Sequence, residues 1–166
     1  LEHLFLLRDI LEGEVTAYGE LLALSYQEKE AVTKNDVQQL SSITEKEQSI
    51  LDTVRRYEAD RKSLFSAIQA EQGLPDGKPT LKDVIETAQG ELRQQLQGLA
   101  GELEDTAMKL RRISKLNKTL INSQLQYTSL CINLIMGPQT PLGTYSGSGQ
   151  KNEECATDRR LVDQAI

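Results

Sequence analysis

Apolar side chains recur along the first part of the chain at alternating steps of three and four: Leu4, Leu7, Leu11, Val15, Tyr18, Leu22, Ser25, Lys29 and Val32. That spacing keeps one face of an α-helix apolar and predicts a helix over residues 1–34. Lys34, Asn35 and Asp36 break the pattern, and Asn35 or Asp36 suits the N-cap of whatever follows. A second helix, residues 36–72, is expected on Val37, Leu40, Thr44, Leu51, Val54, Tyr57, Leu64 and Ile68, with Glu47 and Arg61 at its weaker turns. Gly73 and the stretch "GLPDGKPT" then predict a turn.

Thr80, with Asp83 three residues later, makes a capping box that uses a shorter acid. A third helix is expected from there to Gly137, on Leu81, Val84, Ala88, Leu92, Leu96, Leu99, Leu103, Thr106, Leu110, Ile113, Asn117, Leu120, Gln124, Tyr127, Cys131 and Leu134. Gly90, Gly98 and Gly101 each cost it about 1 kcal/mol relative to Ala, which makes its middle the soft part. Gly137 and Pro138 should end it.

Short connections between three long amphipathic helices predict an all-α fold, an elongated antiparallel three-helix bundle with coiled-coil-like seams over residues 1–137. Residues 138–166 read as a Pro- and Gly-rich linker and a short, helix-compatible tail. At 1.5 Å per residue the second helix spans on the order of 55 Å and the third on the order of 85 Å. The third should therefore outrun its neighbour near Asn117 and leave an overhang. Its end is greasy, because every position from 130 to 136 except Asn133 is apolar. Three covers stay open for it: the chain's own tail with Leu161, Val162 and Ile166, a second copy, or a partner's amphipathic helix.

Charge sharpens that picture. The net charge of -6 is unevenly spread. Residues 1–72 hold 8 basic and 14 acidic side chains, whereas residues 106–152 hold no acid and include Lys109, Arg111, Arg112, Lys115, Lys118 and Lys151. The greasy end is thus also the basic end. Tyr127 is the lone aromatic near that run and the protein as a whole is acidic, so the pattern favours an acidic protein partner or a solvated face over nucleic acid.

Composition excludes more than it selects. At 38% apolar residues the chain can bury a core, and its many Leu, Glu, Gln and Lys with no Trp suit long helices. No run reaches the roughly 18 uncharged apolar residues that a membrane span needs, and Leu4 to Leu7 is too short for the core of a signal peptide. A cytoplasmic location is expected, with Cys131 and Cys155 as free thiols. The single histidine, His3, has no Cys or His partner at metal spacing, so no metal or other cofactor is expected. There is no Walker-type loop, nucleophile elbow or general-base histidine, and "SGSGQ" at 146–150 lacks the Lys and the strand of a phosphate cradle. No enzymatic activity is expected.

The residues resemble the FlgN family of flagellar type III export chaperones. "EKEAVTKNDVQQLSSITEKEQSILDTVRRYEADRKSLF" resembles the family's first hairpin, with Glu30 and Ala31 before the bend and Asp36, Leu40, Lys46, Leu51, Glu58 and Arg61 after it. "LRRISKLNKTLINSQLQYTSLCINLI" resembles its C-terminal helix, with Asn117 followed by Leu120 and Ile121, and "TYSGSGQ" is similar to the turn after that helix. Where the family often has two asparagines three apart, this chain has Ser114 and Asn117, and the segment from Leu161 to Ile166 has no family counterpart.

The resemblance implies a cytoplasmic chaperone, not an enzyme, that binds the disordered C-terminal segments of the hook-filament junction proteins FlgK and FlgL and delivers them to the flagellar export gate. It implies no nucleic acid and no membrane insertion. On that basis Leu120, Ile121, Leu125, Tyr127, Leu130, Ile132, Leu134 and Ile135 are expected to form the client-binding surface. Lys115 and Lys118 would steer acidic groups, and Tyr145 would touch the export gate, by family analogy alone. The alternative is a structural coiled-coil adaptor that self-associates as a homodimer through the C-terminal helix or the tail.

Overall fold

The computed structural model describes residues 2–72 and 80–137. Four α-helices follow one another: α1 (Glu2–Lys34), α2 (Val37–Gln72), α3 (Leu81–Thr87) and α4 (Gly90–Met136), with no strand among the described residues. The chain divides into two compact units, Leu1–Ile121 and Asn122–Ile166.

In the first unit α1 and α2 pack as an antiparallel hairpin, and the joint between them is made by two residues. Asn35 adopts a left-handed conformation (φ 59°). Its N–H donates to the Val32 carbonyl at 3.1 Å, and the Asp36 N–H donates to the Ala31 carbonyl at 2.9 Å. Those two bonds close the end of α1 as a Schellman motif. Asp36 then turns its side chain to the next helix, where Oδ1 accepts from the Gln39 N–H at 2.9 Å. One residue thus finishes α1 and caps α2.

The seam departs from the expected one. In α1 the seam runs through Leu4, Leu7, Leu11, Glu14, Leu21, Ser25 and Val32, with Ala17, Leu24 and Ala31 buried beside it, so Glu14, Leu21 and the half-buried Glu28 take the places expected of Val15, Leu22 and Lys29. In α2, Ile43 and Ile50 face inward where Thr44 and Leu51 were expected, and Val37 is exposed. Both helices therefore keep a strict seven-residue repeat, the period of a left-handed supercoil. A reading that looks for apolar residues drifts off this repeat wherever a polar residue occupies it.

Three apolar clusters line the seam. Leu4, Leu7 and Leu11 meet Leu64 and Ile68, together with Val84 and Ile85 of α3 and Leu96 of α4. Ala17 and Leu21 meet Val54, with Leu110 of α4 packed beside them. Leu24 and Ala31 meet Ile43 near the joint. The order of contacts makes α4 parallel to α1 and antiparallel to α2, the expected up-down-up arrangement. Burying each of these Leu or Ile side chains stabilises the fold by roughly 1.5–3 kcal/mol.

The single helix expected over 80–137 is two helices. The capping box of Thr80 and Asp83 starts α3 as expected. That helix stops at Ala88, whose backbone is extended, and α4 begins at Gly90 with φ +60°. A left-handed residue cannot continue a right-handed helix, and glycine takes that conformation without the Cβ clash. A corner at Gly90 lets both Val84 and Leu96 enter the same cluster. Replacing Gly90 by Ala should lower stability by about 1 kcal/mol, read as a shift in urea midpoint.

Between the first two clusters the seam is ionic. Glu14 is 1% exposed, and Arg61 Nε donates to its Oε1 at 3.0 Å. Its Oε2 has no partner among the described residues. Opposite Gly13 lies the ring of Tyr57, in space that any Cβ would fill. Burial holds the Glu14 carboxyl above its ordinary pKa, with Arg61 opposing the shift. The folded protein thus keeps this proton to a higher pH than the unfolded chain, so its stability falls as pH rises from the ordinary glutamate value through the raised one. Arg61→Ala should cost about 3 kcal/mol by leaving the carboxylate unpaired, and should steepen that fall in a series of melting temperatures against pH. The double change Glu14→Leu with Arg61→Leu should leave stability unchanged or higher.

Candidate functional site

Most of the expected client-binding residues lie on the later turns of α4, Leu120 and Ile121 in the first unit and the others in the second. The α4 seam positions Leu96, Leu99, Leu103, Leu110, Ile113 and Asn117 are buried or half-buried, as expected. Asn117, 2% exposed, fixes this helix to α1. Its Nδ2 donates to the Ser25 carbonyl at 2.7 Å and to Glu28 Oε2 at 2.6 Å. Both partners are acceptors, so the amide nitrogen must face them. Its Oδ1 is buried and has no partner among the described residues.

Glu47 of α2 lies beside this layer. Burial and the nearby Glu28 charge hold its carboxyl above the ordinary pKa, while a Ser25 hydrogen bond opposes the rise. Changing Asn117 to Ala should cost about 2 kcal/mol, because a buried carbonyl and a carboxylate lose their donor. Asn117→Asp should cost more at neutral pH and recover part of the loss on acidification, a difference that chemical denaturation at two pH values would resolve.

Leu120 and Ile121 follow one turn later and are half-buried. Lys115 and Lys118 are exposed and form no ion pair among the described residues, as do Lys109, Arg111 and Arg112.

In the second unit, residues 122–137 contain the closing turns of α4 and Gly137, whose φ of +77° ends the helix as expected. Leu125, Tyr127, Leu130, Ile132, Leu134 and Ile135 are all exposed, Leu134 by 82% and Ile135 by 69%. Met136, counted in the same apolar run but not among the named client-binding residues, is exposed by 69%. Leu116, exposed in the first unit, was missed because it stands one place off the seam. Cys131 is a free thiol. Its hydrogen bond with the Tyr127 hydroxyl, one turn earlier, raises the phenol's pKa. Tyr145, Cys155, the linker and the tail with Leu161, Val162 and Ile166 lie outside the described residues.

A cleft of about 630 Å³ opens between α3 and α4 in the first unit. Leu81, Ile85, Ala100 and Leu103 line it, and Lys82, Glu86, Arg93 and Glu104 are spaced around it. Among the described residues no group of three or more His, Cys, Asp or Glu side chains could hold a metal. No helix among them is long and apolar enough to cross a membrane.

Three comparisons bear on these features. A family model described as FlgN protein matches residues 4–153. The chain is 26% identical over 146 residues to a Bacillus subtilis (strain 168) protein described as uncharacterized protein YvyG, an alignment covering 88% of each chain. No solved structure matches it significantly.

Proposed function

Since the chain belongs to the FlgN family of flagellar chaperones, we propose that it is a cytoplasmic export chaperone with no catalytic role. Its clients are the C-terminal amphipathic segments of hook-filament junction proteins of the FlgK and FlgL kind, which it masks and delivers to the type III export gate. The observation that supports this reading most is the end of α4, where eight consecutive turns' worth of acid-free sequence surrounds a run of exposed leucines and isoleucines.

An unassembled filament component carries apolar surface meant for the next subunit, and that surface aggregates unless it is covered. Leu120, Ile121, Leu125, Tyr127, Leu130, Ile132, Leu134 and Ile135 supply the cover in this reading. Lys115 and Lys118 attract acidic groups of the client, and Tyr145 contacts the gate. Ordering a flexible client offsets part of the contact energy and limits affinity, which suits a cargo that must be released.

Calorimetric titration with the C-terminal segment of a hook-filament junction protein tests the proposal. The full chain should bind, and truncation after Gly137 should preserve or strengthen binding if the tail imitates the client. Leu130→Asp with Leu134→Asp should weaken binding at least about a hundredfold while circular dichroism stays unchanged, because a carboxylate would be buried against apolar client surface. Collapse of the helical signal would instead make these residues core. No binding, with a mass that rises with concentration, would favour the self-associating coiled-coil adaptor. Lys115→Glu with Lys118→Glu should slow association about tenfold at low salt and flatten its salt dependence in stopped-flow measurements.

A further inference from the structure

Midway along α4, within the first unit, charge is sorted by sign. Glu102, Glu104 and Asp105 precede Ala107, and Lys109, Arg111 and Arg112 follow it. All six are exposed, and none forms an ion pair among the described residues. The same stretch holds Gly98 and Gly101, where an added Cβ would meet nothing within 4 Å. Neither has the positive φ of Gly90 or Gly137, so nothing in the fold of one chain requires glycine at two interior helix positions, where it weakens the helix. Successive residues of an α-helix turn by about 100°, which puts Gly98, Gly101, Asp105, Met108, Arg112 and Leu116 on one stripe opposite the seam. Met108 and Leu116 leave large apolar side chains exposed on it.

We propose that a second copy of this chain packs on the stripe, α4 against α4 and antiparallel, about a two-fold axis at Ala107. Turned end for end about that residue, the second helix sets Arg112 opposite Glu102 and Lys109 opposite Asp105, with Arg111 within one residue of the place opposite Glu104. Leu116 falls opposite Gly98, whose missing side chain leaves room for it, and the two Met108 side chains meet beside the axis. A parallel copy would set like charges against like. An acidic segment, whether a client's or the chain's own, would suit the basic half of the stripe and be repelled by the acidic half. The tail is also close to neutral, since residues 138–166 carry four acids and three bases. The occupant must carry the same sorting of charge in reverse, as a second copy does. This goes beyond the chaperone reading, because it uses neither Lys115 and Lys118 nor the apolar end of α4.

Sedimentation equilibrium of the full chain tests the pairing. At low salt the parent should have twice the mass of one chain, and the mass should fall toward that of one chain as salt rises. Glu102→Lys with Glu104→Lys, and separately Arg111→Glu with Arg112→Glu, should each weaken the dimer at least about tenfold with circular dichroism unchanged, because each sets like charges face to face. Mixed in equal amounts, the two variants should recover the dimer, since every pair is then of opposite sign. Gly98→Gln with Gly101→Gln should raise the melting temperature of the dilute monomer and still weaken the dimer, a split that a role in folding alone would not produce. A monomeric parent overturns the proposal, and if Glu153→Lys with Glu154→Lys makes it dimeric, the chain's own tail is the cover. A dimer that survives both charge reversals, or a mixture that stays monomeric, overturns it too. A dimer lost with Glu153→Lys and Glu154→Lys is held by the tail, and one lost with Leu130→Asp and Leu134→Asp is held by the end of α4; either result overturns the pairing at Ala107.

Discussion

A seam that advances by seven residues every two turns admits one side chain at each step, whatever its polarity. In this hairpin that constraint outranks hydrophobicity. Glu14 and Arg61 enter the interior because their places in the repeat face each other, and they become tolerable only as a pair. Asn117 enters by the same rule from α4 and finds the Ser25 carbonyl and the Glu28 carboxylate as acceptors. The apolar clusters supply most of the burial. The polar layers between them restrict which residues can lie opposite which, since a shift of one heptad would leave a carboxylate buried alone.

This division of labour accounts for what could be read in the sequence. The joint at Lys34, Asn35 and Asp36, the capping box at Thr80 and Asp83, and the stop at Gly137 all depend on residues within a few positions of each other, and all are where local chemistry placed them. Glu14 was overlooked because its acceptability depends on Arg61, 47 residues away. The corner at Gly90 was overlooked for a similar reason: a glycine in a helical pattern tolerates either sign of φ, and the packing of Val84 and Leu96 in one cluster selects the positive one. Leu116 shows a different limit. A seam reading seeks residues that pack, so it assigns no role to apolar residues beside the seam.

The exposed apolar run was legible for the same reason that parts of the core were not. From Leu125 to Met136 the apolar residues leave the repeat and spread around the helix, which no intramolecular seam requires. Buried residues answer to partners within the chain, whereas these are exposed among the described residues and draw attention only by their number. The charge asymmetry adds direction, because basic side chains without acidic neighbours gain little from the chain itself.

The joint between α1 and α2 has a further bearing on how such a chain can vary. Asn35 and Asp36 leave no slack, so the two helices pair by counting outward from them: Ala31 with Ile43, Leu21 with Val54, Glu14 with Arg61. One inserted residue there would turn α2 by about 100° against α1 and misalign every pair along the hairpin. Relatives of this protein can therefore exchange residues freely along outward faces, but lengthening this loop by one would require the entire second helix to be rewritten. The turn works as the origin of a ruler, and evolution can repaint the marks more easily than it can move the zero.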